Sequence, residues 1–181
     1  MTCSSSKLLI VCMLLCSVLL VGCGESKTKM TQESRKAIAF EDSDECHLCG
    51  MVITRFPGPK GQLYEQEVER VRKFCSTRDL FSHYLQPENT HRVLDIYVHN
   101  MAEVPWGKTD DRYMINAREA LFVINHKLSG AMGPTLAAFG KIGEAKAFMN
   151  THGGSIVTFS DITLEMLATL EPVEMNMSGM H

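Results

Sequence analysis

The chain has 181 residues, 18 Lys and Arg against 21 Asp and Glu for a formal net charge of −3, with 45% hydrophobic and 7% aromatic residues. This is the composition of an ordinary globular domain and excludes disorder, collagen and repeat arrays. No basic stripe or stacking motif is present, so nucleic acid is not an expected partner.

The apolar residues are unevenly placed. Leu8 to Val21 is a nearly unbroken apolar run behind Lys7, shorter than the ~20 residues a spanning helix needs. It ends in Leu20-Val21-Gly22-Cys23, which reads as an export signal (residues 1–22) with a lipoprotein cleavage box and Cys23 as the lipidated residue. Removing the signal takes away only one charge, Lys7. Acylation would tether the chain to a membrane, and residues 23–36 read as a polar, aperiodic tether. Gly24 after the cysteine, rather than Asp, points by resemblance to bacterial sorting rules toward the outer membrane.

A single domain is expected over residues 37–172, long enough for one core. Strands are predicted at Lys36–Phe40, Met51–Arg55, Gln62–Glu67, Arg92–His99, Glu119–Asn125 and Ser155–Phe159, with Pro57-Gly58-Pro59 and Gly61 as a hairpin break between the second and third. A helix is predicted from Ser76 to about Leu85, with Ser76 as N-cap and Asp79 at N3. A second runs from about Gly143 to Thr151 and is closed by Gly153-Gly154; a third spans Ser160 to about Leu170. Phe74-helix-strand and Phe139-helix-strand repeat one pattern, each behind a hairpin, which predicts an α+β domain of two ββαβ halves. Residues 173–181 form a Met-rich tail with Met175, Met177 and Met180.

Cysteine usage narrows the chemistry. Cys3, Cys12 and Cys16 leave with the signal and Cys23 takes lipid, so Cys46, Cys49 and Cys75 remain. An odd set does not make a paired disulfide framework. Glu45-Cys46-His47-Leu48-Cys49-Gly50-Met51 places two thiols at C-x-x-C spacing with a thioether two residues later. Such soft donors favour Cu(I), whereas closed zinc sites use four Cys or His ligands, and no second C-x-x-C or H-x(3–5)-H follows. His47 reads as a solvated loop residue. Leu128-Ser129-Gly130-Ala131-Met132-Gly133-Pro134 puts Met132 in a Gly-rich loop, where side chains are presented rather than buried; as the apparent counterpart of the Cys46–Met51 loop, it would face that loop across a shared site.

Met101, Met114, Met149 and Met166 read as core filler, Cys75 as a small buried hydrophobe, with joining the site from the helix start, where the dipole favours a thiolate, as the alternative, and His99, His126 and His152 as surface or capping residues. A thiol-disulfide oxidoreductase using Cys46 and Cys49 is the alternative; against it, Gly50 to Thr54 reads as a turn entering a strand, with no helix dipole to activate a cysteine.

Taken together, Cys23 with its box, Cys46-His-Leu-Cys49-Gly-Met51, Phe74-Cys75-Ser76, Gly130-Ala-Met132-Gly-Pro134 and Gly153-Gly154 resemble NosL, the family of lipoprotein copper chaperones that help assemble the copper centres of nitrous oxide reductase. The resemblance implies a non-enzymatic, periplasmic, membrane-tethered Cu(I) donor with Cys46, Cys49, Met51 and Met132 as metal ligands. It implies docking to the periplasmic component of the nitrous oxide reductase assembly ABC transporter, with the reductase itself as a second candidate partner. The family often has Met where this chain has Leu48.

Overall fold

The computed structural model describes residues 34–108 and 110–170. The signal, Cys23 and the terminal methionines lie outside them. Two antiparallel sheets form the frame. In the first, β1 (Gly61–Glu65), β2 (Arg72–Phe74), β3 (Val93–His99) and β4 (Met114–Asn116) lie in the order β2-β1-β3-β4; in the second, β5 (Leu121–Ile124), β8 (Ala137–Phe139) and β9 (Ser155–Thr158) lie in the order β8-β5-β9. Between β5 and β8, β6 (Ser129–Gly130) and β7 (Gly133–Pro134) make a small ribbon.

Each half thus runs strand, strand, helix, strand with its first strand in the centre of a three-stranded set. The helix of the first half is α1 (Thr77–Tyr84) and that of the second is α3 (Ile142–His152), while α2 (Pro87–Thr90) is a single turn between α1 and β3. The two ββαβ halves expected from the repeated pattern are present. Their register also corrects one inference: the loop holding Met132 joins β5 to β8, so its counterpart is the β1–β2 link at residues 66–71, not the Cys46–Met51 loop, which precedes β1 altogether.

α1 starts where Ser76, in extended backbone geometry, accepts the Asp79 N–H on its Oγ at 3.0 Å; a side-chain acceptor here satisfies one of the orphan donors of the first turn. Leu80, Phe81 and Tyr84 are its buried apolar residues. Phe81 reaches across the halves to Phe122 (5.1 Å between ring centroids) and Phe159 (5.5 Å). One core therefore joins Leu63, Phe74 and Ile96 to Phe122, Leu136 and Leu167. A smaller cluster around Val123, Phe139 and Ala145 lies under α3. Met101 is buried, and Met149 and Met166 pack against the two cores, in keeping with a filler role.

Several expected elements differ. Residues 36–40 form no strand, because side chains take their backbone groups: Gln62 bonds both the N–H and the carbonyl of Ile38, Tyr64 Oη donates to Lys36 O, and Asp111 accepts from Phe40 N. Hydrogen bonds reach back to Ser34 and Arg35, held by Asp95 and Tyr97. Met51–Arg55 is a single bridge, Glu45 to Val52, followed by a 3-10 turn at Ile53–Arg55. The third helix is divided, with a 3-10 turn at Phe159–Asp161 and α4 at Leu164–Ala168, because Thr163 stands between them as a new N-cap accepting from Met166 N at 3.1 Å. β2, β4 and β8 are three residues each, too short for an alternating pattern to show.

Candidate metal centre

Residues 44–53 fold into a knuckle. Cys46 N donates to Met51 O, Gly50 N donates to Cys46 O, both at 2.8 Å, and Ile53 N donates to Asp44 O at 2.9 Å. Gly50 has φ +73° with nothing near its Cα face, a turn that glycine makes without the steric cost other residues carry. The knuckle is fastened to β2: His47 N donates to Lys73 O at 2.8 Å, and Lys73 Nζ bonds Asp44 Oδ2 and Ala39 O. The His47 ring stays near the surface against Arg72 (3.0 Å to Nε2). Arg72 in turn is paired with the buried Glu65 at 2.7 Å, which also bonds His83 of α1 at 2.7 Å.

This docking carries Cys46 and Cys49 to the start of α1. There the three sulfurs of Cys46, Cys49 and Cys75 and one carboxylate oxygen of Asp79 lie within 4.8 Å of one another. Cys75 Sγ is 3.0 Å from Asp79 Oδ2 and 3.5 Å from Cys49 Sγ; Cys46 and Cys49 Sγ are 3.8 and 3.9 Å from the same carboxylate oxygen. Cys46 and Cys75 are buried and Cys49 is exposed.

The expected burial of Cys75 is found, and the cluster adds to it. It packs in the core and its thiol is also a member of the cluster, 3.0 Å from Asp79 Oδ2 one turn into α1. The signal was in the sequence: Cys75-Ser76-x-x-Asp79 sets a thiol and a carboxylate four residues apart at a helix start. The sequence argument against zinc, that one C-x-x-C is short of four donors, also loses its premise.

The electrostatics favour a cation. Asp79 has no ion-pair partner among the described residues, although three thiols crowd it. The neighbouring Cys75 thiol draws the Cys46 thiol down to about 5, which favours the thiolate form at Cys46. Cys75 is pushed upward, first by its neighbour Cys46 and then by burial and by its hydrogen bond to the Asp79 carboxylate, while burial raises Cys49. A thiolate and a carboxylate 3.8 Å apart repel, and a metal cation placed among them would remove that repulsion.

Met51 is half-buried on the knuckle and packs against the core that holds Cys46 and Cys75. Met132 is 52% exposed on the β6–β7 turn, where Gly133 has φ +88°. That turn is tied to the first turn of α1: Thr77 Oγ1 meets Thr135 Oγ1 at 2.8 Å and donates to Leu136 O at 2.6 Å. Trp106 Nε1 holds its other arm through Ser129 O at 2.8 Å.

For His99 and His126 the expected surface placement is corrected, whereas His152 stands in the last turn of α3 as expected. His99 is fully buried between Lys60 N (3.0 Å) and Asp111 (2.9 Å), and His126 is buried against Trp106 and Phe148; both strands end inside the fold, not at its surface. Lys60, which the sequence did not single out, is 2% exposed, and its Nζ donates to Phe56 O and Pro57 O at 2.7 and 2.9 Å. Burial lowers it to about 8.

Comparison with known proteins converges on one family. The NosL family model matches residues 37–167. The copper-binding lipoprotein NosL of Stutzerimonas stutzeri is 46% identical over 164 residues, which cover 90% of this chain and 82% of that protein. The copper-binding lipoprotein NosL of Achromobacter cycloclastes is 34% identical over 131 residues, 71% of this chain and 67% of that one. The crystal structure of the copper chaperone NosL from Shewanella denitrificans superposes with a TM-score of 0.71 at 49% identity, over 72% of this chain and 97% of that chain. On its sequence and on its α+β fold, the chain belongs to the NosL family.

Proposed function

We propose that this chain is a non-enzymatic, periplasmic lipoprotein that binds Cu(I) and delivers it for maturation of nitrous oxide reductase. Copper is its cargo. The observation that carries the reading is the meeting of three sulfurs and a carboxylate oxygen within 4.8 Å, with one of those cysteines exposed. Thiolates are soft donors suited to Cu(I). In the proposed shell Cys46 and Cys49 supply thiolates, Cys75 and Asp79 stand beside them in the same cluster, and Met51 and Met132 supply thioethers from the knuckle and from the β6–β7 turn. An exposed Cys49 lets a recipient's own ligand enter before the last bond to the donor breaks. Lipid on Cys23 would hold the protein at a membrane, the outer membrane by the Gly24 rule, and the recipient would be the periplasmic component of the reductase assembly transporter or the reductase itself.

Titration with Cu(I) against a competing chelator tests the binding. One tightly held Cu(I) per chain is expected, with Cys46→Ser and Cys49→Ser each losing most of it. A wild type that yields all its copper to the chelator, or serine variants that retain copper as well as the wild type, would overturn the reading. For delivery, a deletion strain should accumulate reductase protein poorly loaded with copper; full loading under copper limitation would refute it.

A further inference from the structure

The three thiols are not equivalent. Cys46 is 3% exposed, its backbone is pinned at both N–H and carbonyl, and its sulfur faces Asp79. Cys49 is exposed on the free shoulder of the knuckle, next to a Gly50 with open space around it, and its sulfur rests 3.5 Å from that of buried Cys75. A disulfide needs about 2.05 Å, so about 1.5 Å of approach is required, and the mobile partner is on the side free to move. We propose that oxidation closes a Cys49–Cys75 disulfide, tying the knuckle to the start of α1 and withdrawing two sulfurs from the metal cluster, so that the site holds copper only when reduced. The consequence for copper rests on the function proposed above; the pairing itself does not.

The step balances with a small disulfide such as oxidised glutathione as the oxidant. Cys49, exposed to solvent, loses its proton to water and attacks one glutathione sulfur, forming a mixed disulfide and expelling one glutathione thiolate. Cys75 then gives its proton to Asp79 Oδ2, 3.0 Å away, and attacks Cys49 Sγ, expelling the second glutathione. The two protons end on the two glutathione thiols. Two electrons pass from the cysteine pair to the glutathione disulfide.

The test uses the full-length, metal-free chain in mild detergent, incubated with oxidised glutathione, alkylated, digested and mapped by mass spectrometry. The expected product joins the Cys49 and Cys75 peptides and leaves Cys46 alkylated, and a dithiol reverses it. Cys46→Ser should form the same link, and Cys75→Ser should stop with glutathione on Cys49. A Cys46–Cys49 or Cys46–Cys75 link, or glutathione left on Cys49 of the wild type, overturns the pairing. Oxidised protein should lose Cu(I) to a chelator that the reduced protein withstands; equal retention by linked and reduced protein overturns the switch. If reduced protein retains no copper either, the carrier function falls, and the peptide map still decides the pairing.

Discussion

The two ββαβ halves share a path and differ in chemistry. Phe74 and Phe139 end equivalent strands, and the residues that follow are Cys75-Ser76-Thr77-Arg78-Asp79 in the first half and Gly140-Lys141-Ile142-Gly143-Glu144 in the second. In the first, Ser76 caps the helix and leaves Asp79 facing three sulfurs. In the second, Lys141 makes no side-chain cap and pairs through Nζ with Glu144 at 3.2 Å. The helix start alone does not make the site. The other two sulfurs come from the knuckle ahead of β1, and the corresponding stretch ahead of β5 holds no cysteine. A duplicated frame thus supplies one wall of the cluster, and a segment outside the duplication supplies the rest.

The glycines sharpen this contrast with the largest expected effect. Gly154, between α3 and β9, has φ +99°, and a Cβ there would lie 2.3 Å from Ile124 O, a backbone atom of the central strand. Gly154→Ala should cost upwards of about 3 kcal/mol. Gly50 also has positive φ but faces open space, so Gly50→Ala should cost about 1 kcal/mol. Urea denaturation of the two variants compares them; equal losses would mean the second half is no more tightly closed than the knuckle.

Acid should attack the second half first. Burial holds His126 down to about 4, where it accepts the Leu128 N–H and sits between Trp106 and Phe148. In the unfolded chain the same ring titrates near 6.5. Below that the unfolded state binds the extra proton, so this contribution is complete above pH 6.5 and is lost as pH falls toward about 4, in total roughly 3 kcal/mol. Stability measured across that window should fall in the wild type and stay flatter in His126→Gln; parallel curves would remove His126 from the account.

How much of this was legible follows from what each residue's neighbours are. Ser76 and Asp79 announced α1 because a cap is a local device, and Gly153-Gly154 announced the end of α3 for the same reason. Residues 36–40 read as a strand, yet their partners are the side chains of Gln62, Tyr64 and Asp111, which no local pattern encodes. The C-x-x-C motif was visible as a pair. Cys75 was not assigned to it because the contact depends on His47 N docking on Lys73 O, a tertiary bond between segments about two dozen residues apart.

Proton release on metal binding separates the thiols from one another. Cys46 is held to about 5 and Cys49 is raised, so at neutral pH the metal-free site carries a thiolate at Cys46 and a proton at Cys49. If Cu(I) engages both, one proton should leave between about pH 5 and the ordinary thiol range, and apparent affinity should rise about tenfold per pH unit. Below about 5 two protons should leave and the slope should double. Calorimetry in buffers of different ionisation enthalpy reads the count directly. No release at pH 7 would mean that Cys49 is already a thiolate or takes no part.

Met132 gives the smallest effect and the closest test of whether the second half reaches the site at all. Its turn is fixed to α1 through Thr135 and Thr77 and to Trp106 through Ser129, yet its own side chain is half in solvent. A thioether contributes no charge, so its loss should weaken the site less than loss of a thiolate. Leucine matches methionine in volume, and such swaps usually cost under about 1.5 kcal/mol even in a packed core, so Met132→Leu should leave thermal unfolding unchanged. Copper should then pass to a chelator more readily, by a few-fold, with sulfur scattering around the metal reduced in X-ray absorption. An unchanged spectrum and unchanged retention would confine the shell to the first half and its knuckle, with Met51 as the remaining thioether.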